Sequence, residues 1–195
     1  MNLEIYTGGL VATNGYLIED GGTTLLIDAP AGIFAWLQQK DIYPDHLLLT
    51  HQHFDHVEDA HLFNGPIHAF APFSHDLTLA ESARSWGLPI EVPPFEVKNV
   101  LENESTLTLG NFEIQLLHVP GHSPDSLAYS LPSSNIAIVG DTLFHQGEGR
   151  TDLPGGDQQL LRNGIRQKIL TLPPETRILP GHGPSTTPAT ESPYF

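Results

Sequence analysis

The chain reads as an α/β protein, a four-layer αββα sandwich, on three observations. Short apolar, β-branched runs recur through the 195 residues, helical periodicity separates them, and histidines or aspartates stand just past several of the runs. Two halves, each of strands followed by helices, fit two sheets with helices outside them, and the loops at one sheet edge then carry the polar residues.

The runs predict strands over 3–6, 13–19, 24–27, 47–50 and 67–70, and later over 95–100, 106–109, 112–119, 126–130, 136–140 and 177–179. Helical patterns are clearest over 31–40, 73–86 and 158–170. The last carries Leu160, Leu161, Ile165, Ile169 and Leu170 at helical spacing, which reads as a core stripe. The stretch Leu88-Pro89-Ile90-Glu91-Val92-Pro93-Pro94 reads as an ordered crossover rather than a linker, so residues 1–195 are expected to form one domain. The rings of the terminal Tyr194-Phe195 are expected to dock on it.

Composition narrows the function. A net charge of −15, from 23 acidic and 8 basic residues, repels nucleic acid. No run approaches the roughly 20 apolar residues of a membrane span, and the start lacks a basic region followed by an apolar signal core, so a cytoplasmic protein without a membrane partner is expected. The absence of cysteine excludes disulfides, thiolate ligands and a thiol nucleophile. Neither a Gly-x-Ser-x-Gly elbow nor a Gly-x-x-x-x-Gly-Lys phosphate loop occurs.

The densest chemistry is Thr50-His51-Gln52-His53-Phe54-Asp55-His56, directly after the apolar Leu47-Leu48-Leu49. In extended backbone, residues two apart share a side, so His51 and His53 can grip one ion while Asp55 and His56 turn toward another. At the chain's His and Asp frequencies about 0.002 accidental copies of this pattern are expected, which sets chance aside. Three further donors stand past apolar runs: His122 in Val119-Pro120-Gly121-His122, Asp141 after Ile136-Ala137-Ile138-Val139-Gly140, and His182 in Ile178-Leu179-Pro180-Gly181-His182. Two follow Pro-Gly, the chemistry of a tight turn that aims a side chain. Five imidazoles and two carboxylates suit zinc, iron or manganese.

These motifs, in this order, resemble the metallo-β-lactamase superfamily, and Leu25-Leu26-Ile27-Asp28 is similar to its early aspartate motif. Gly149-Arg150-Thr151-Asp152-Leu153-Pro154-Gly155-Gly156-Asp157 and Pro180-Gly181-His182-Gly183-Pro184-Ser185-Thr186-Thr187 resemble the short bacterial glyoxalase II-like (hydroxyacylglutathione hydrolase-like) subgroup. The resemblance implies two divalent ions, zinc first, with iron or manganese as alternatives. His51, His53 and His122 would bind the first, Asp55, His56 and His182 the second, and Asp141 would bridge. Such a pair supplies hydroxide from a bridging water near neutral pH, with Asp55 in a second, catalytic role as acceptor of its proton. The implied activity is hydrolysis of a small thioester or other ester-like molecule, and a centre near +2 suits an anionic substrate. Asp28 would support the His-rich loop without touching metal.

Around the site the reading keeps alternatives. Arg150 either pairs with Asp152 or meets substrate, and His145 either lines the pocket or is a solvated loop residue. Asp125 either adds a carboxylate near the site or lies exposed, with exposure the weightier reading. His46, His61, His68, His75 and His118 are read as structural or exposed. The runner-up activity is a persulfide dioxygenase of the same superfamily, with one iron on the two-histidine, one-carboxylate face of His51, His122 and Asp141. Pro180-Gly181-His182-Gly183-Pro184 leans toward the hydrolase, because the dioxygenases typically carry Ala-His-Asp-Tyr there.

Overall fold

The computed structural model describes residues 1–195, which divide into two compact units, Met1–Glu102 and Asn103–Phe195. The first unit holds a six-stranded sheet in chain order: β1 (Asn2–Gly8), β2 (Thr13–Asp20), β3 (Thr23–Ile27), β4 (His46–Leu48), β5 (Ile67–Ala69) and β6 (Val97–Val100). The first three strands form an antiparallel meander, and β3 to β6 run parallel. Gly21 and Gly22, with φ of 56° and 85°, make the tight β2–β3 turn that needs two positive φ angles. Leu25, Leu26, Ile27, Leu47, Leu48 and Ile67 are all buried, as parallel strands covered on both faces require.

Helices α1 (Ile33–Gln39), α2 (Phe54–Val57), α3 (His75–Thr78) and α4 (Ala80–Ser85) complete the unit. Ile33, Leu37, Val57 and Ala83 pack with Leu26, Leu47 and Ile67 in its core. The single helix expected over 73–86 is two helices. Leu79 sits between them at φ 53°, a conformation that costs a non-glycine residue roughly 1–2 kcal/mol, and burial of its side chain offsets that cost.

The second unit contains β7 (Thr106–Leu109), β8 (Phe112–His118), β9 (Leu127–Leu131), β10 (Ile136–Gly140), the small hairpin β11 (Leu143–Phe144) and β12 (Gly147–Glu148), and β13 (Arg177–Pro180). Its sheet runs β13-β10-β9-β8-β7, parallel only between β10 and β13. Helix α5 (Gln158–Gly164), capped by the Asp157 carboxylate on the Leu160 amide at 2.9 Å, runs into a π-helical turn at Ile165–Ile169. Leu161, Ile165 and Ile169 pack on Val119, Ala137, Val139 and Ile178. Leu160, expected in that stripe, is exposed. The short α6 (Pro188–Glu191), with Thr187 as its N-cap, precedes a last turn that packs Phe195 against this core while Tyr194 stays 57% exposed. No helix is long and apolar enough to cross a membrane.

Candidate metal centre

In the first unit the His-rich run leaves the end of β4 beside Asp28, which directly follows the adjacent β3. The Asp28 amide donates to the Leu48 carbonyl at 2.9 Å. Its carboxylate accepts from the Thr50 amide (2.7 Å), the Thr50 hydroxyl (2.7 Å) and His56 Nδ1 (2.8 Å). Asp28 is fully buried at φ 61°, a strained conformation worth about 1–3 kcal/mol that persists because these bonds over-determine it. A carboxylate only accepts, so His56 Nδ1 carries the proton and Nε2 presents its lone pair.

The run does not stay extended as the sequence reading assumed. The chain turns into α2 at Phe54, so His56 folds back onto His51, with ring centroids 4.1 Å apart, while His51 and His53 rings lie 4.5 Å apart. His56 Nε2 is 3.4 Å from Asp55 Oδ2. That same oxygen accepts from the Thr13 hydroxyl at 2.6 Å, at the start of β2. Sequence reasoning missed Thr13, because a partner 42 residues away leaves no local signal.

In the second unit, β10 and β13 are parallel neighbours, so the residues after them leave from the same edge. His182 Nε2 lies 3.3 Å from Asp141 Oδ2, and the Gly181 amide donates to the Gly140 carbonyl at 2.8 Å. His122, after β8, brings Nε2 to 3.6 Å from the same oxygen. Gly121 turns the chain there at φ 130°, where a Cβ would lie 2.4 Å from the Leu161 amide nitrogen. His122 Nδ1 donates to the Arg150 carbonyl at 2.8 Å, which again fixes the tautomer and leaves Nε2 with its lone pair. The structure thus gathers His51, His53, Asp55 and His56 in one unit, and His122, Asp141 and His182 in the other.

Residues 8–182 match the family described as the Metallo-beta-lactamase superfamily. The chain belongs to the metallo-β-lactamase superfamily. It is 34% identical over 194 residues to the probable metallo-hydrolase YqgX of Bacillus subtilis, covering 94% of this chain and 90% of that one. It is 33% identical to the hydroxyacylglutathione hydrolase GloC of Haemophilus influenzae, covering 96% and 93%. Among solved structures, TTHA1623 in a di-iron-bound form superposes with a TM-score of 0.84 at 37% identity, covering 98% of this chain and all of that one.

The metallo-β-lactamase fold with this set of histidines and aspartates implies divalent metal ions. The residues present fit such ions: two buried imidazoles have Nδ1 committed to acceptors, and carboxylates lie near their Nε2 atoms.

Around these donors several neighbouring side chains have partners of their own. Arg150 pairs with Asp152 through two bonds of 2.7 and 2.8 Å on the surface, and this holds the Asp152 carboxyl below the usual carboxylate range. The Arg150 carbonyl accepts from His122. His145 is paired as well, its Nδ1 3.4 Å from the carboxylate of Glu191, a buried residue that the sequence reading missed. Asp125 is not exposed: it is 2% accessible and accepts from the Ser123 hydroxyl in the His122 loop. His46 and His68 pair across β4 and β5 at 3.1 Å, and His118 bonds the Pro124 carbonyl at 2.8 Å, both structural uses.

Proposed function

We propose that the protein is a cytoplasmic binuclear metallohydrolase acting on small thioesters or other ester-like molecules. His51, His53 and His122 would hold one ion and Asp55, His56 and His182 the other, with Asp141 as a further carboxylate donor. Zinc is the first choice of metal. The observation that carries the reading is the paired support of the ligands: Asp28 on His56 and the Arg150 carbonyl on His122 both direct Nε2 lone pairs, an arrangement typical of metal-ligating histidines. Relatives named as metallo-hydrolase and hydroxyacylglutathione hydrolase, matched over nearly their full lengths, support the hydrolytic chemistry.

When bound, such ions supply hydroxide near neutral pH and polarise the attacked carbonyl. The residues do the rest. Asp55 accepts the proton of the attacking water, and the Thr13 hydroxyl holds its carboxylate in place. Asp28 keeps His56 in the donor tautomer through the reaction. A locally positive centre in a chain of net charge −15 admits a small anionic substrate while the remaining surface repels polyanions.

Elemental analysis of the purified protein, run beside thioester hydrolysis and oxygen uptake on a persulfide, tests this. About two metals per chain with thioester turnover is the expected result. One iron per chain with persulfide-dependent oxygen uptake would replace it with the dioxygenase, which the relatives do not favour.

A further inference from the structure

We propose that Glu191 is the positioning residue for His182. This rests on the reading that His182 is a ligand of the second ion.

His182 is the proposed ligand most in need of outside support, since its side chain is 27% accessible against 0% for His56 and 4% for His122. It lies in a loop closed at its base by a bridge between Ile178 and Thr186: the Ile178 amide donates to the Thr186 carbonyl at 2.9 Å, and the Thr186 amide returns the bond at 3.0 Å. One side of its ring meets Phe144 of β11 edge-on, with centroids 6.0 Å apart. The loop base and the β11–β12 hairpin are therefore two of the supports of the His182 imidazole, beside its contact with Asp141.

Glu191 holds both. Its Oε1 accepts from the Thr186 hydroxyl, at the loop base. Its Oε2 accepts from the Gln146 amide at 3.0 Å, in the turn of the hairpin, where Gln146 sits at φ 58°. His145 of the same turn brings Nδ1 to 3.4 Å from Oε1. One side chain with 0% accessibility thus ties together the two walls of His182. Taking a carboxylate out of water is costly unless its partners are well placed. At the last residue of α6 it gains nothing from the helix end, which favours positive charge. The group makes physical sense as a geometric clamp: both oxygens are used, and each partner belongs to a segment that touches or carries His182.

The test is a zinc titration of metal-free protein by calorimetry, together with the histidine ring-proton NMR spectrum of the same metal-free samples, the His182 line being assigned by its loss in His182→Asn. In Glu191→Ala one of the two zinc affinities is expected to fall roughly 10–100-fold, the range seen when outer partners of ligands are removed, with the other changed much less. The His182 line should broaden or split. Glu191→Gln, whose amide offers an acceptor to Gln146 and a donor to Thr186, is expected to restore most of the affinity. Thr186→Val, which cuts only one arm, should fall between, and it serves if the alanine variant does not fold. Wild-type zinc affinities with an unshifted His182 line in the alanine or valine variant would overturn the proposal. If wild type itself takes up fewer than two zinc ions, the binuclear reading fails instead, and the metal-free His182 line still decides whether Glu191 positions the ring.

Discussion

Asp28 shows how much one side chain can set. Its two oxygens serve three donors, and its backbone sits at φ 61° in a fully buried position. Substitution by alanine removes three hydrogen bonds to buried groups and leaves the positive φ, so Asp28→Ala should cost about 3 kcal/mol or more of stability. Asparagine separates folding from metal binding. It tolerates the left-handed backbone and still accepts from the Thr50 amide. Its amide nitrogen, however, replaces the acceptor facing His56 Nδ1, which pushes the imidazole proton to Nε2, the nitrogen needed for an ion. Asp28→Asn should therefore fold with a loss of about 1 kcal/mol yet lose roughly 10–100-fold in affinity for the ion on His56. Competition with a chromophoric chelator measures this, and an unchanged affinity would show that Asp28 does not set the His56 tautomer.

At the level of elements, the proposed ligands are carried by strand ends and aimed by close backbone approaches. Gly149 leaves β12 so near Asp141 that a Cβ there would lie 1.9 Å from the Asp141 carbonyl oxygen and 3.1 Å from His122 Cγ. Gly149→Ala must push the hairpin exit outward and draw the Arg150 carbonyl away from His122, so both stability and metal uptake should drop, the former by about 1–3 kcal/mol as in other overpacked sites. Gly147→Ala is the control, since its Cβ would meet nothing nearer than Phe144 Cβ at 4.0 Å. Urea denaturation of the pair checks the contrast, and equal stability would mean that the hairpin yields freely. This element scale is also where the sequence was most and least legible. His51, His122, Asp141 and His182 stand out because each follows an apolar run that had to be a strand, and strand ends determine where side chains emerge. The α2 turn at Phe54 was not legible, since four residues leave too short a period to detect. The break at Leu79 was hidden because the apolar spacing continues through it. Thr13 and Glu191 were invisible for another reason: their roles depend on partners 42 and 45 residues away, and no local pattern records such pairs.

For the molecule as a whole, pH dependence follows from a histidine pair, one member buried and the other half-buried, apart from the proposed metal ligands. His68 on β5 is 3% accessible, its Nε2 lies 3.1 Å from His46 Nδ1, and its own Nδ1 is buried without a hydrogen-bond partner. Burial first, and the neighbouring His46 second, lower the His68 pKa from 6.5 to about 4. Burial lowers His46 as well, against an opposing pull from Asp45. The sign follows from which state binds protons more tightly. The unfolded chain protonates His68 near 6.5 and the folded chain only near 4, so stability is full above 6.5 and drains as pH falls toward 4, by at most about 3 kcal/mol. Titration of the many carboxylates overlaps the lower part of this window and relieves the repulsion of a −15 chain, so wild type alone does not isolate the effect. His68→Leu does. Leucine fills a similar volume, removes the buried Nδ1, and leaves half-buried His46 to hydrogen-bond with water, so stability at pH 7 should change by no more than about 1 kcal/mol. Between pH 6.5 and 4 the variant should lose less stability than wild type, with chelator present in both so that metal release does not enter the comparison. Urea melts at half-unit intervals give the two curves. Parallel curves across that window would mean that the His46–His68 pair opens to solvent before it takes up a proton.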